Sequence, residues 1–156
     1  MAATIDQKTL KFISTGSIEM DRKLGGGIPH GTLMLVEGIE SSGKSTLVQQ
    51  LVWSSLKDGE LGTLYITEQT IQSLLRQMDS LGLNIRDYFL MNRVQIYPVF
   101  VPTGSIDPAR LFSELFDHIE REDSARVIVV DSLTTLVPHV GGTQIQEFFS
   151  KCKRLC

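Results

Sequence analysis

The sequence contains no apolar run of the roughly 18 residues that a membrane-crossing helix needs. Its first residues, from Met1 to Lys8, hold no apolar core of a secretory leader. Direct membrane insertion is therefore not expected, and the cytoplasm is the expected location. Cysteine is scarce: Cys152 and Cys156 stand four apart near the end of the chain, with no further Cys or His at ligand spacing. That excludes a zinc cluster and leaves two reduced, structural thiols as the expectation. The three histidines, His30, His118 and His139, are scattered too widely for a metal site or a catalytic triad and read as surface residues. An excess of positive charge is also missing, since 15 Lys and Arg face 18 Asp and Glu. A dedicated nucleic-acid surface is not expected, because no basic stripe is interleaved with aromatic residues.

What is present is a chain of 156 residues, 42% hydrophobic and 21% charged, enough for one domain with a real core. The most informative segment is Gly38-Ile39-Glu40-Ser41-Ser42-Gly43-Lys44-Ser45. It fits the phosphate-binding pattern G-x-x-x-x-G-K-[ST], after an apolar run, Leu33 to Val36, and before a helical pattern. Gly38 and Gly43 are expected to allow backbone angles that a side chain forbids. Consecutive N–H groups then turn inward around a triphosphate at a helix N-terminus. Gly38, Glu40, Ser41, Ser42, Gly43, Lys44, Ser45 and Thr46 are the nucleotide-binding candidates. Lys44 places a point charge by the β- and γ-phosphates, and the Ser45 hydroxyl can join a Mg²⁺ shell that otherwise keeps waters.

Hydrophobic patterning predicts alternating strands and helices. Leu10–Ser14 reads as a short strand, Ile18–Leu24 as a short helix, and Gly25-Gly26-Gly27 as a hinge or close-approach site. Thr32–Glu37, apolar on both faces, reads as a central strand of a parallel sheet. Leu47, Val48, Leu51, Val52, Ser55 and Leu56 form the inner stripe of a helix ended by Asp58-Gly59, with Trp53 packing beside it. Thr63–Thr67 is a second strand, Thr70–Leu81 a helix stopped at Gly82, and Val94–Tyr97 a third strand. Asp107-Pro108 starts a helix whose stripe is Leu111, Leu115, Phe116 and Ile119. Arg126–Val130 is an apolar strand that delivers Asp131, and a last helix begins near Gln144. Its Lys151, Lys153 and Arg154 read as a solvated face. Alternation of this kind gives an α/β fold with a mostly parallel sheet flanked by helices, with ligands at the carboxyl ends of the strands.

Two more positions carry chemistry on that rim. Asp131, at the end of an apolar strand, is placed to hold Mg²⁺ beside the phosphate loop. Glu68, just past the second strand, can accept the proton of a water attacking the γ-phosphate; the alternative is a strand-end carboxylate facing solvent or a helix N-terminus.

Several segments together resemble one group of ATPases: Ser14-Thr15-Gly16, Leu24 to Gly31, the loop from Gly38 to Thr46, Tyr65-Ile66-Thr67-Glu68, and Val129 to Thr134. The chain resembles the RecA superfamily, P-loop NTPases with a RecA-like core, in its KaiC and RadA branch. Within that branch, Gln72–Leu83 and Asp87-Tyr88-Phe89-Leu90 are similar to the archaellum-associated FlaH ATPases, KaiC-like proteins that partner the motor ATPase and membrane platform of archaeal motility. The resemblance implies ATP and Mg²⁺ as ligands, Lys44 and Glu68 as catalytic residues, and Ser45 and Asp131 as metal ligands. It also implies a ring-forming homo-oligomer at full length, peripheral to the inner face of the membrane through partners. Gln69 stands where KaiC domains commonly carry a second Glu, which points to slow or conditional hydrolysis. Two strands that follow the strand-end acid in the family do not occur here, so the chain is expected to be part of a longer protein. Two other readings stand beside a nucleotide-controlled assembly factor: a RadA-like recombination ATPase working on DNA, and a small-molecule kinase, for which no lid or Arg cluster is present.

Overall fold

The computed structural model describes residues 11–100, 107–122 and 125–156. The chain opens with β1 (Phe12–Ile13), α1 (Ile18–Lys23) and β2 (Ile28–Pro29), the two strands pairing antiparallel with Ile13 opposite Ile28. Ser17 caps α1 by accepting from the Met20 N–H. One turn on, the Asp21 carboxylate accepts from the Ser14 hydroxyl at 2.7 Å and the Thr15 N–H at 2.8 Å. These bonds from Thr15 and Ser14 hold the carboxyl below its ordinary range. Thr15 is fully buried, and its carbonyl accepts from Gln50, which ties this motif to the following long helix. The triple glycine is a close approach. Gly27, at φ 128°, has no room for a side chain, because a Cβ there falls 2.6 Å from the Ile13 carbonyl oxygen.

The long helix α2 (Lys44–Lys57) stops at Asp58, and Gly59 turns left-handed at φ 96°. The strands β3 (Gly62–Ile66), β4 (Val94–Pro98) and β5 (Val127–Asp131) form a parallel sheet in the order β4-β3-β5. Between β3 and β4 lie α3 (Ile71–Ser80), capped by Thr70, and the short α4 (Arg86–Leu90), which the hydrophobic pattern does not announce. Then come α5 (Pro108–Glu120), capped by Asp107, a 3₁₀ turn at Val137–His139, and α6 (Gly142–Leu155). Alternate residues of β3 feed two cores. Leu64 and Ile66 pack with Val52 and Leu56 of α2 and Leu74 and Met78 of α3, while Tyr65 packs with Phe112, Leu115 and Phe116 of α5 and Phe148 of α6. Trp53 packs against the first core, with the Lys57 ammonium over its ring. Cys152 is half-buried and Cys156 exposed, both free. His118 and His139 are exposed and His30 is half-exposed, and the His118 ring shares a hydrogen bond with the Tyr65 hydroxyl.

One expected strand does not form. Residues 32–37 pair with no strand among the described residues, and Leu33, Met34 and Leu35 are exposed by 42% or more. β3 takes the central place instead. An apolar run gains from the strand state only when ladder bonds and covering helices are available on both sides. Here β5 itself is only partly buried, with Ile128 at 36%. The same lack of cover leaves Leu47 and Val48 half-exposed at the start of α2. In α5 the buried stripe runs through Phe112 rather than Leu111.

Gly25→Ala and Gly27→Ala separate backbone strain from crowding. Gly25 is left-handed with nothing within 4 Å of an added Cβ, so its variant should lose about 1 kcal/mol in urea unfolding. Gly27→Ala must also move the Ile13 carbonyl and should lose roughly 2–4 kcal/mol. Equal losses would show that the close approach is dispensable.

Candidate functional site

The carboxyl ends of the three strands and the N-terminus of α2 meet on one side of the sheet. Gly43 enters α2 left-handed at φ 86° and offers no side chain as a cap, so the first N–H groups of the helix are left for a ligand. The second left-handed residue of the loop is Ser41, at φ 59°. Gly38 serves a different purpose from the one expected: its φ is not positive, but a Cβ there meets the Ser42 hydroxyl at 2.6 Å. Glu40, Ser41 and Ser42 are exposed in the turn, and Thr46 is half-buried. The Lys44 ammonium arches over this loop, donating to the carbonyls of Gly38 at 2.9 Å and Ile39 at 2.7 Å.

Ser45 and Asp131, 86 residues apart, are joined directly: the serine hydroxyl donates to Asp131 Oδ1 at 2.9 Å. Burial raises the Asp131 carboxyl above its ordinary range and the Glu68 charge adds to this, while the Ser45 hydrogen bond and the Lys44 charge oppose it. Ser45, Glu68, Gln69, Gln77 and Asp131 line a cavity of about 250 Å³. Its donor set is oxygen-rich and hard, which suits Mg²⁺ and not a thiophilic metal. Ser45 and Asp131 would each offer one oxygen side chain to such an ion, which keeps several waters. Lys44, Ser45, Glu68 and Asp131 are thus brought to one rim, and Gln69 stands beside them.

Sequence reasoning missed three residues around this rim. Gln77 lies on α3 and accepts from Gln49 Nε2 at 3.4 Å, and Gln49 is 1% exposed with its Oε1 unpartnered. A polar residue beside an apolar stripe carries no signal of facing a cavity. Ser132, next to Asp131, donates its hydroxyl to Glu68 Oε1 at 2.5 Å.

The family model for the KaiC ATPase matches residues 13–155. The chain belongs to this family. It is 29% identical over 141 residues to the archaeal flagellar ATP-binding protein FlaH of Methanocaldococcus jannaschii, covering 88% of this chain and 60% of that protein. It is 30% identical over 147 residues to FlaH of Sulfolobus acidocaldarius, covering 92% and 64%. The crystal structure of the flagellar accessory protein FlaH from M. jannaschii superposes with a TM-score of 0.71 at 27% identity, covering 94% of this chain and 66% of that one. The fold is RecA-like and the protein FlaH-like. RecA of Borreliella afzelii is 31% identical over 132 residues, which is 32% of its length. The KaiC-like chain thus spans about three fifths of the FlaH relatives it matches.

Asp131→Asn should keep much of the nucleotide affinity measured without metal and lose the gain that Mg²⁺ brings. Titration of a fluorescent ATP analogue with and without Mg²⁺ checks this. Equal gains in parent and variant would reduce Asp131 to a strand-end residue.

Proposed function

We propose that the chain binds ATP with Mg²⁺ on the rim formed by Gly38–Thr46, Glu68 and Asp131, and that its nucleotide state controls assembly with partners. The observation that carries this reading is the Ser45–Asp131 contact beneath a lysine-spanned phosphate loop. It sets a hydroxyl and a carboxylate side by side at the N-terminus of α2, where phosphates are favoured. Lys44 holds the β- and γ-phosphates and compensates their charge. Ser45 and Asp131 would hold Mg²⁺, which would supply neutralisation of the phosphate oxygens. Glu68 accepts a proton from a water in the cavity.

Slow or conditional hydrolysis follows from Gln69, an amide that cannot share in proton transfer where KaiC domains commonly place a second Glu. The FlaH relatives are archaeal flagellar proteins, and we infer an equivalent setting here. The partners are then the motor ATPase and membrane platform of the archaellum, met by a ring of this protein at the inner face of the membrane. No helix among the described residues is long and apolar enough to cross a membrane. The alternative, a RadA-like DNA-dependent recombination ATPase, has weaker support, since the RecA match covers only 32% of that protein; stimulation of turnover by single-stranded DNA is the deciding measurement.

Lys44→Ala should abolish binding of a fluorescent ATP analogue; affinity within about threefold of the parent would refute the assignment of the loop. Glu68→Gln should leave binding nearly intact and slow any hydrolysis by about 10² to 10⁴. Unchanged turnover would reject Glu68 as the base.

A further inference from the structure

Glu68 is an exposed side chain, and a long, solvated carboxylate has no reason to keep one orientation. A general base has to stand within hydrogen-bond reach of the proton it takes. In this chain the constraint comes from the segment after β5. Ser132 is fixed from three directions: its N–H donates to the Thr67 hydroxyl oxygen at 3.0 Å, its carbonyl accepts from the same hydroxyl at 2.8 Å, and its own Oγ accepts from the Thr134 N–H at 3.2 Å. A hydroxyl has one proton to give. Here that proton goes to Glu68 Oε1.

We propose that Ser132 is a positioning residue, its hydroxyl holding one oxygen of the Glu68 carboxylate so that the other faces the cavity shared with Ser45 and Asp131. The inference rests on the ATPase reading of that cavity. A carboxylate accepts at both oxygens, so the bond from Ser132 orients Glu68 without consuming its capacity as a base. In the step served, a water oxygen bonds to the γ-phosphorus and the bond from that phosphorus to the β,γ-bridging oxygen breaks. ADP leaves with the electron pair, and the proton of the water passes to Glu68. Thr67 completes the device. Its backbone N–H donates to the Asp131 carbonyl at 3.0 Å while its hydroxyl clamps the Ser132 backbone, so the ends of β3 and β5 move as one piece. Asp131 is oriented separately, by Ser45. The two carboxylates thus have independent side-chain supports, Ser45 and Ser132.

That independence supplies the test, made on the 156-residue chain with Ser132→Ala, Ser132→Thr and Glu68→Gln. ATP-analogue affinity with and without Mg²⁺ is measured beside steady-state turnover. Ser132→Ala should lower kcat about tenfold, the worth of one hydrogen bond, with KM and the Mg²⁺ gain within about threefold of the parent. Ser132→Thr should restore kcat to within about threefold of the parent, and Ser132→Ala should cost nothing further in the Glu68→Gln background. An unchanged kcat in Ser132→Ala overturns the inference. So does loss of the Mg²⁺ gain together with kcat, which marks a structural role at the strand end. A parent that binds nucleotide without detectable turnover also overturns it and leaves the binding reading standing. A parent that binds no ATP analogue refutes that reading itself.

Discussion

The parallel register of β3 between its two neighbours is the constraint from which the site follows. Ile66 pairs with Pro98 on one side and with Asp131 on the other, so all three strands end at one level. The residues just beyond that level, Thr67 to Gln69 and Ser132, are therefore neighbours despite their distance in sequence. β3 is buried along its whole length and sends alternate side chains into two different cores. A slip of β3 by one residue would exchange Tyr65 with its neighbours, and a slip of β5 would turn Asp131 away from Ser45. The hydrophobic cores thus specify the position of the carboxylates, although they touch none of them.

The electrostatics of the rim are asymmetric. The N-terminus of α2 and the Lys44 ammonium favour an anion. On the same rim, Asp131 and Glu68 bring negative charge together, and burial with that repulsion raises the Asp131 carboxyl above its ordinary range. A cation held by Ser45 and Asp131 would relieve this cost. Under the proposed reading, phosphate would answer one half of the site and a divalent ion the other half, so a metal–nucleotide pair would fit the whole better than either part.

The fold was legible where local rules and tertiary contacts agree. Thr70 and Asp107 announce their helices because each side chain caps the backbone in place, and Gly59 and Gly82 end α2 and α3 through left-handed turns. The meeting of Lys44, Ser45 and Asp131 on one rim was legible because the loop pattern fixes residue types at set spacing and an apolar parallel strand delivers its acid at the carboxyl end. Residues 32–37 misled for the opposite reason: an apolar run reports what a segment could bury, while strand formation depends on partners elsewhere in the chain. Gln77 and Ser132 were silent because an amide on a helix and a serine after a strand are ordinary surface residues until the fold sets them against Gln49 and Glu68.

Lys44 joins both halves of this account. An ammonium has three N–H donors, and the carbonyls of Gly38 and Ile39 occupy two of them. The third is available to an arriving phosphate without release of the first two. The flexible stem is thereby ordered before a ligand binds, which removes much of the rotamer entropy that a free lysine would lose on capture. An arginine could not substitute here: its planar fork presents donors in one plane, whereas the loop needs them directed back to two carbonyls and forward to an anion at once. The same tether links Gly38 and Ile39, at the exposed entrance of the loop, to the first residue of α2. The loop is closed across its ends by the side chain proposed to meet the nucleotide, so its shape and its charge are set by one residue.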